Sequence, residues 1–329
     1  MSTTFAIRRQ SDALSEDIAH VLTEVGMPGK GSTVFIKPNF TYPFEKPGVT
    51  TTKRFLIALV DVLRDCQVSR ICIGEGEGGY NAFAIEDTFA AYGLHELADS
   101  HGVECQNVNA WPSRTLQVKT RRGLVGVNVP APIFDEFDHY ISAPVPKVHC
   151  MTTISCAVKN QWGLVQDTLR LKRHTVFNEV ITEITRQLPR PIAVLDGTFG
   201  LTRNGPMVDG VPLELGWVAA CNDVFAHDEV ICRLMKMPMG RVKHLRYAQQ
   251  QGLLAPPDTV SPPQGLASFV DDRFYLRRNI WNRLAKTTWY SERLNHLVYI
   301  SRVSGLLHRV MYSIRQKSPD LKVRGVDWD

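Results

Sequence analysis

Hydrophobic positions along the chain recur with two periods. Leu14, Ile18, Val21, Leu22 and Val25 share one helical face, which predicts an amphipathic helix over residues 14–25. Gly29-Lys30-Gly31 leads into the apolar run Thr33–Lys37, a strand that Pro38-Asn39 breaks. Thr50, Thr51 and Thr52 stand before Phe55, Leu56, Leu59, Val60 and Leu63, the inward face of a second helix. Arg70–Gly74 is apolar on both faces, the pattern of a buried parallel strand. Helices follow over Glu86–Tyr92 and Glu96–His101, then a strand over Val103–Val108. Thr115–Val129 alternates around Arg121-Arg122-Gly123 and predicts a β-hairpin. Further on come strands at Tyr140–Ala143, Ile192–Leu195 and Trp217–Cys221. Helices are expected over Val176–Leu188 and from about Ala226 to Met235, with Asp228 in the latter's first turn. Strand–helix alternation of this kind predicts an α/β fold, a mostly parallel or mixed sheet flanked by helices.

Composition divides the chain further. Residues 1–255 carry the alternation, 256–272 include Pro256, Pro257, Pro262 and Pro263, and 273–329 are basic. The expected organisation is an α/β domain, a proline-rich linker and a basic helical tail. The tail holds twelve Lys/Arg and four Asp/Glu, a net +8, which leaves −3 for residues 1–272 out of the chain's +5. No apolar run reaches the ~20 residues that span a bilayer, and the first residues show no apolar signal core. The seven cysteines are scattered with no CxxC, which points to reduced thiols in a cytoplasmic protein.

The richest chemistry lies between Ala143 and His174. Lys147 and His149 follow the Tyr140 strand, and a short helix from about Cys156 would carry Lys159 and Asn160. Thr152, Thr153 or Ser155 could cap that helix, and Gly163 suits the left-handed residue past its end. Lys37, Asn39, Glu75, Asp196 and Asp223 stand at other strand ends, where open α/β sheets bind ligands. A single polar residue in such a place is commonly only a cap or turn former. Their convergence makes His149, Lys159, Glu75 and Lys147 the candidate catalytic residues. Lys37, Asn39, Asn160, Asp196 and Asp223 are candidate substrate ligands, and His174 with His149 candidate metal ligands. Gly74–Gly79 matches GxGxxG after a strand, but Glu75 and Glu77 inside it would repel a pyrophosphate. A loop presenting a glutamate to an active site, or a plain turn, are the other readings.

Several motifs taken together resemble the family catalogued as domain of unknown function 362. They are IKPNF (36–40), IGEGEGG (73–79), PVPKVHCMTTISCAVKNQWG (144–163), His174, LDGTFGLTRNGP (195–206) and the Asp223 to Asp228 segment. The resemblance covers roughly residues 30–255 and implies a largely uncharacterised family, many of whose members carry an iron–sulfur segment with clustered cysteines. This chain has no such cluster, which argues against an iron–sulfur cofactor. The layout also resembles, more distantly, nickel-pincer lactate racemase. That family spaces a catalytic histidine, a cofactor-bearing lysine and a metal-binding histidine much as His149, Lys159 and His174 are spaced here. Its glycine-rich run before the lysine is missing, and Glu75 and Glu77 stand where it has a histidine, so only the layout carries over.

These readings favour an enzyme acting on a small anionic or carbonyl-bearing substrate, with a transition metal as one conceivable cofactor. The competing class is a non-catalytic binding or assembly protein. In the tail, Leu294, Leu297, Val298, Val303, Leu306, Leu307, Val310, Met311 and Ile314 recur at helical spacing. Arg293, Arg302, Arg309 and Arg315 lie largely off that stripe. A basic amphipathic helix over Trp289–Gln316 is expected, docking on an anionic membrane surface, on an acidic partner or on the chain's own acidic body. No nucleic-acid reading motif accompanies the charge.

Overall fold

The strand signals join into one mixed sheet, seen in a computed structural model that describes residues 3–79, 82–206, 209–254 and 265–307. The first half comprises β1 (Phe5–Arg9), α1 (Leu14–Val25), β2 (Thr33–Lys37), α2 (Lys53–Asp65), β3 (Arg70–Glu75), α3 (Ile85–Tyr92), α4 (Leu94–His101) and β4 (Glu104–Asn107). A two-stranded hairpin, β5 (Ser113–Thr120) and β6 (Gly123–Pro130), and the short α5 (Pro132–Asp135) lead to β7 (His139–Ser142). Then come β8 (Lys147–His149), β9 (Thr153–Ser155), α6 (Ala157–Asn160) and α7 (Phe177–Gln187). The remainder is β10 (Ile192–Thr202), β11 (Val211–Cys221), α8 (Val224–Leu234), α9 (Lys243–Gln250), α10 (Ile280–Tyr290) and α11 (Glu292–Tyr299).

The sheet runs β1-β11-β10-β7-β2-β3-β4. Strands β10, β7, β2, β3 and β4 are parallel, while β11 and β1 are antiparallel to their neighbours. Both faces are covered, which is why the central strands read as unbroken apolar runs. In β2, Val34 and Ile36 join a core with α1 and α2, while Phe35 joins a second core with α7 and α8. At the mouth of α2 the Thr52 hydroxyl accepts from Phe55 N at 3.3 Å.

Three departures from the sequence reading bear on the site. Lys147 and His149 lie on a strand of their own, β8, which hairpins with β9 and touches β10 through Lys147 opposite Leu201. Neither Thr152, Thr153 nor Ser155 caps α6. The Asp228 carboxylate does so from α8, accepting from Ala157 N at 2.8 Å and Val158 N at 2.9 Å. Strands β10 and β11 run well past the predicted runs, with a register shift between Gly197 and Phe199, so Asp196 falls inside a strand.

In the described residues the expected single helix over Trp289–Gln316 is broken twice: α10 ends at Tyr290, α11 follows, and helical residues resume at 304–307 after a turn over 300–303. The first break is at Ser291, whose hydroxyl accepts from Leu294 N at 3.4 Å and so starts α11. Part of the predicted linker, 255–264, and the calls on Arg309, Val310, Met311, Ile314 and Arg315 lie outside the described residues. The tail docks on the body through Asn295, which donates to Leu171 O at 3.1 Å, and Asn282, which accepts from Asn204 Nδ2 at 2.7 Å.

Gly74 sits where β3 passes Phe35, and a Cβ there would lie 2.4 Å from the Phe35 ring and 2.9 Å from Val108. Overpacking of this kind costs about 1–3 kcal/mol. Gly74→Ala is therefore expected to lower the denaturant midpoint with an unchanged slope, and a midpoint equal to the parent's would contradict the packing described.

Candidate functional site

The site begins where β2 and β3 end side by side. Their parallel register, Ile36 opposite Ile73, carries Lys37 and Glu75 to the same edge. Lys37 Nζ lies 2.8 and 2.7 Å from the two Glu75 oxygens, and both side chains are buried. Glu75 also accepts from Gly76 N at 2.9 Å and Phe40 N at 3.3 Å. Removing two charges from water is costly, so a pair like this persists only with close geometry and satisfied neighbours. Burial pulls the Lys37 ammonium below its usual range, with the Glu75 carboxylate opposing that pull. Gly163 makes room for the pair: a Cβ there would meet Glu75 Oε1 at 2.3 Å and Lys37 Nζ at 2.8 Å. It is not the left-handed residue that the sequence suggested. It lies in a 3₁₀ turn, Gln161–Leu164, where close approach requires glycine.

Amides extend the pair. Asn160 Oδ1 accepts from Asn39 Nδ2 at 3.1 Å and from Lys37 Nζ at 3.4 Å. Asn160 Nδ2 donates to Lys37 O at 3.2 Å and to Ser142 Oγ at 3.0 Å. The Lys147 ammonium donates to the Asn39 carboxamide oxygen and to Val49 O. Both acceptors are neutral, and burial drives the Lys147 ammonium well below its usual range. Gln161 Nε2 donates to Ser142 Oγ at 3.2 Å, and its oxygen accepts from the Tyr140 hydroxyl.

Beyond the amides lie the groups with unsatisfied capacity. Lys159, on α6, is half-buried, and among the described residues its ammonium meets no hydrogen-bond or ion-pair partner. Its pKa falls to about 8, chiefly through burial and also through Arg170 and Lys37. Lys147 and His149 share one face of β8. His149 Nδ1 accepts from Met151 N at 3.1 Å, so the neutral ring carries its proton on Nε2. The turn that supplies this donor holds Thr153 at φ +75°, a rare conformation for a β-branched residue. His174 is buried and stacks on Trp289 with ring centroids 3.5 Å apart. Burial, with Lys159 adding to it, holds both His149 and His174 well below the usual imidazole range. Arg170, which sequence reasoning passed over, donates from Nη2 to Glu77 O at 2.9 Å, while its buried Nη1 has no partner among the described residues. The LRLKRH segment offered three basic residues, and nothing in it marked Arg170 as the buried one.

The structure thus gathers Lys37, Asn39, Glu75, Lys147, His149, Lys159, Asn160 and His174, and it places two expected ligands elsewhere. Asp196 accepts from Thr52 N at 2.7 Å, Thr198 N at 3.0 Å and Thr198 Oγ1 at 2.7 Å, tying β10 to the start of α2. Asp223 caps α8, accepting from Phe225 N and Ala226 N at 2.8 and 2.9 Å. Glu77 is also occupied: it accepts from Ile85 N at 3.0 Å and from Asn107 Nδ2 at 2.7 Å. A Cβ on Gly76 would meet Gly163 O at 2.3 Å, so this part of the loop is packed inward instead of being open to a pyrophosphate.

Among the described residues, Cys156, His227 and Asp228 bring three potential metal-ligand atoms within 4.8 Å of one another. Their donors are engaged otherwise. Both Asp228 oxygens hold α6, one of them also lies 2.9 Å from His227 Nδ1, and burial keeps the Cys156 thiol protonated. This cluster reads as the support beneath α6.

The family model described as "Domain of unknown function (DUF362)" matches residues 34–233, more than half of the 329-residue chain. A curated relative from Synechocystis sp., named a thylakoid-associated protein, is 30% identical over 123 residues, 35% of this chain. That match spans 38% of the relative's own length. A crystal structure of a Thermotoga maritima protein aligns with 74% of this chain and 61% of its own, at TM-score 0.39 and 12% identity.

Two outcomes follow from this geometry. His149, His174 and His244, the last held near about 4 by burial, are neutral when folded and bind protons readily when unfolded. The unfolded state binds more protons, so stability rises with pH up to the free imidazole value of about 6.5 and falls below it. The three together give a slope of up to about 4 kcal/mol per pH unit; urea melts at pH 7, 6 and 5 that show no decline would contradict the burial. Gly163→Ala drives a methyl group into the Lys37–Glu75 pair, and breaking such a pair costs roughly 3–5 kcal/mol. A melting temperature equal to the parent's would show that the pair tolerates the intrusion.

Proposed function

Taking as premise that the chain belongs to the DUF362 family, we propose that it is an enzyme acting on a small anionic or carbonyl-bearing substrate, with Lys159 at the reacting centre. The observation that carries this reading is the Lys159 ammonium, half-buried, unpartnered among the described residues and titrating near about 8. Arg170 adds positive charge beside it, and Glu75 is directly bonded to Lys37. A cluster of cations with one carboxylate already paired favours a substrate that brings negative charge. A lysine near 8 also holds roughly a tenth of its molecules as free amine at pH 7, enough to attack a carbonyl. In that reaction the unpaired Arg170 Nη1 would orient a substrate carboxylate, and His149 Nε2–H would donate to a developing oxyanion.

The His174 ring is the imidazole that suits a transition metal here, because His149 accepts from Met151 N at Nδ1, keeps its proton on Nε2 and serves as a donor. The same cluster could hold an anion without turning it over, which is the binding-module alternative. The thylakoid association in the Synechocystis relative's name supports placing this chain near a membrane.

Pyruvate with borohydride tests the reading, because it carries both a carbonyl and a carboxylate. A reduced adduct on Lys159 is expected by mass spectrometry, its yield rising as pH passes through about 8, where the amine becomes free. Lys159→Arg should keep pyruvate binding in calorimetry and lose the adduct. Binding with no adduct in the parent favours the binding-module alternative. Neither binding nor adduct, with no retained zinc or nickel, overturns the proposal.

A further inference from the structure

The two C-terminal helices are built inside out for a helix that serves only its own core. Their inward contacts include Asn282, Asn295 and Trp289, all buried, and Tyr290, which packs on the core. Their leucines point the other way. Ile280, Leu284, Leu294 and Leu297 on the helices, with Ile300, Val303 and Leu306 just beyond α11, are all exposed, Ile280 at 67% and Leu306 at 60%. An apolar patch this concentrated on a soluble chain marks an interaction surface.

The charge around it narrows the partner. Arg283, Arg293 and Arg302 are exposed on the same segment, and among the described residues none of them meets a carboxylate. Glu292, the acid within α10 and α11, is bonded to Arg122. The outer face is therefore apolar and positive at once. A second copy of the same face would set arginines against arginines, which opposes a symmetric dimer. No described helix is long and apolar enough to cross a bilayer. Leucines flanked by unpaired arginines match a surface with an acyl layer beneath anionic headgroups.

We propose that the outer face of α10 and α11 seats on an anionic lipid bilayer, with the chain lying on the membrane and not through it. The seat is mechanically joined to the candidate site. Trp289 leaves the inner side of α10 to stack on His174, and Asn295 of α11 bonds Leu171 in the same turn. Docking thus holds the residues that cover His174 at the lipid surface. The proposal stands independently of any catalytic role for Lys159.

Co-sedimentation of the full chain with phosphatidylglycerol vesicles and with phosphatidylcholine vesicles tests it. Binding to the anionic vesicles at low salt is expected, weakened several-fold at high salt and on neutral vesicles. Arg293→Ala with Arg302→Ala removes two surface charges worth about 1 kcal/mol each, a loss of roughly 30-fold in partitioning. Leu297→Glu with Ile300→Glu should abolish binding; both sites are exposed, and an unchanged melting temperature will show that the fold persists. No binding to anionic vesicles at low salt overturns the proposal, as does equal binding by the parent and the leucine–isoleucine variant. Salt-sensitive binding of an acidic polypeptide such as polyglutamate, without vesicle binding, would likewise overturn it in favour of a protein partner.

Discussion

The buried Lys37–Glu75 pair is the constraint around which the rest of the site is arranged. Two opposite charges at adjacent strand ends hold β2 and β3 in register, and every neighbour must satisfy what the pair leaves over. Asn160 and Phe40 N supply hydrogen bonds, and Gly163 withdraws its side chain so that a 3₁₀ turn can close over the pair. Breaking either partner would strand the other charge in a low-dielectric interior, which is far more costly than the net worth of the intact pair. The loop, strand and turn that meet here are consequently fixed relative to one another. A rigid floor of this kind is what a reactive group needs beneath it.

Positive charge exceeds negative charge above that floor. Lys37 is neutralised by Glu75, whereas Lys147 leans on two neutral oxygens and Lys159 on none that are described. Each cation lowers the proton affinity of the next, and burial lowers all of them. The histidines answer by staying neutral: His149 has Nδ1 bonded to backbone, and His174 is sandwiched against an indole. Neutral imidazoles beside lysines of lowered pKa form a cluster whose protonation is set by position more than by solvent pH.

Much of this was legible in residue order. Parallel strands buried on both faces leave continuous apolar runs, so β2, β3 and β7 could be placed to within a residue or two. Lys37, Asn39 and Glu75 were expected together by the rule that such sheets gather ligands at strand ends, and Asn160 by the short helix after Cys156. Long-range choices were not legible. Asp228 caps α6 from 71 residues away, a preference that local capping rules would assign to Thr152, Thr153 or Ser155. Asp196 and Asp223 have the composition of ligands and the duties of caps, because a carboxylate serves a backbone N–H as readily as a substrate. Gly163 misled for a related reason: the same residue type answers a left-handed turn and a close approach.

The tail shows how a periodicity can be right and its orientation ambiguous. Helical spacing of leucines says that one face is apolar, and it leaves open whether the body or a partner covers that face. Here the body is met by Asn282 and Asn295, each satisfied by a specific hydrogen bond, and by two aromatic side chains, Trp289 and Tyr290. Amides fix a helix at a defined register because their bonds have direction, whereas leucines would bury comparable area in many orientations. Using the directional residues inward leaves the non-directional ones outward, where a fluid surface can accept them without a matching shape. A bilayer is such a surface, and a basic rim on the same helices sets which leaflet composition it would choose.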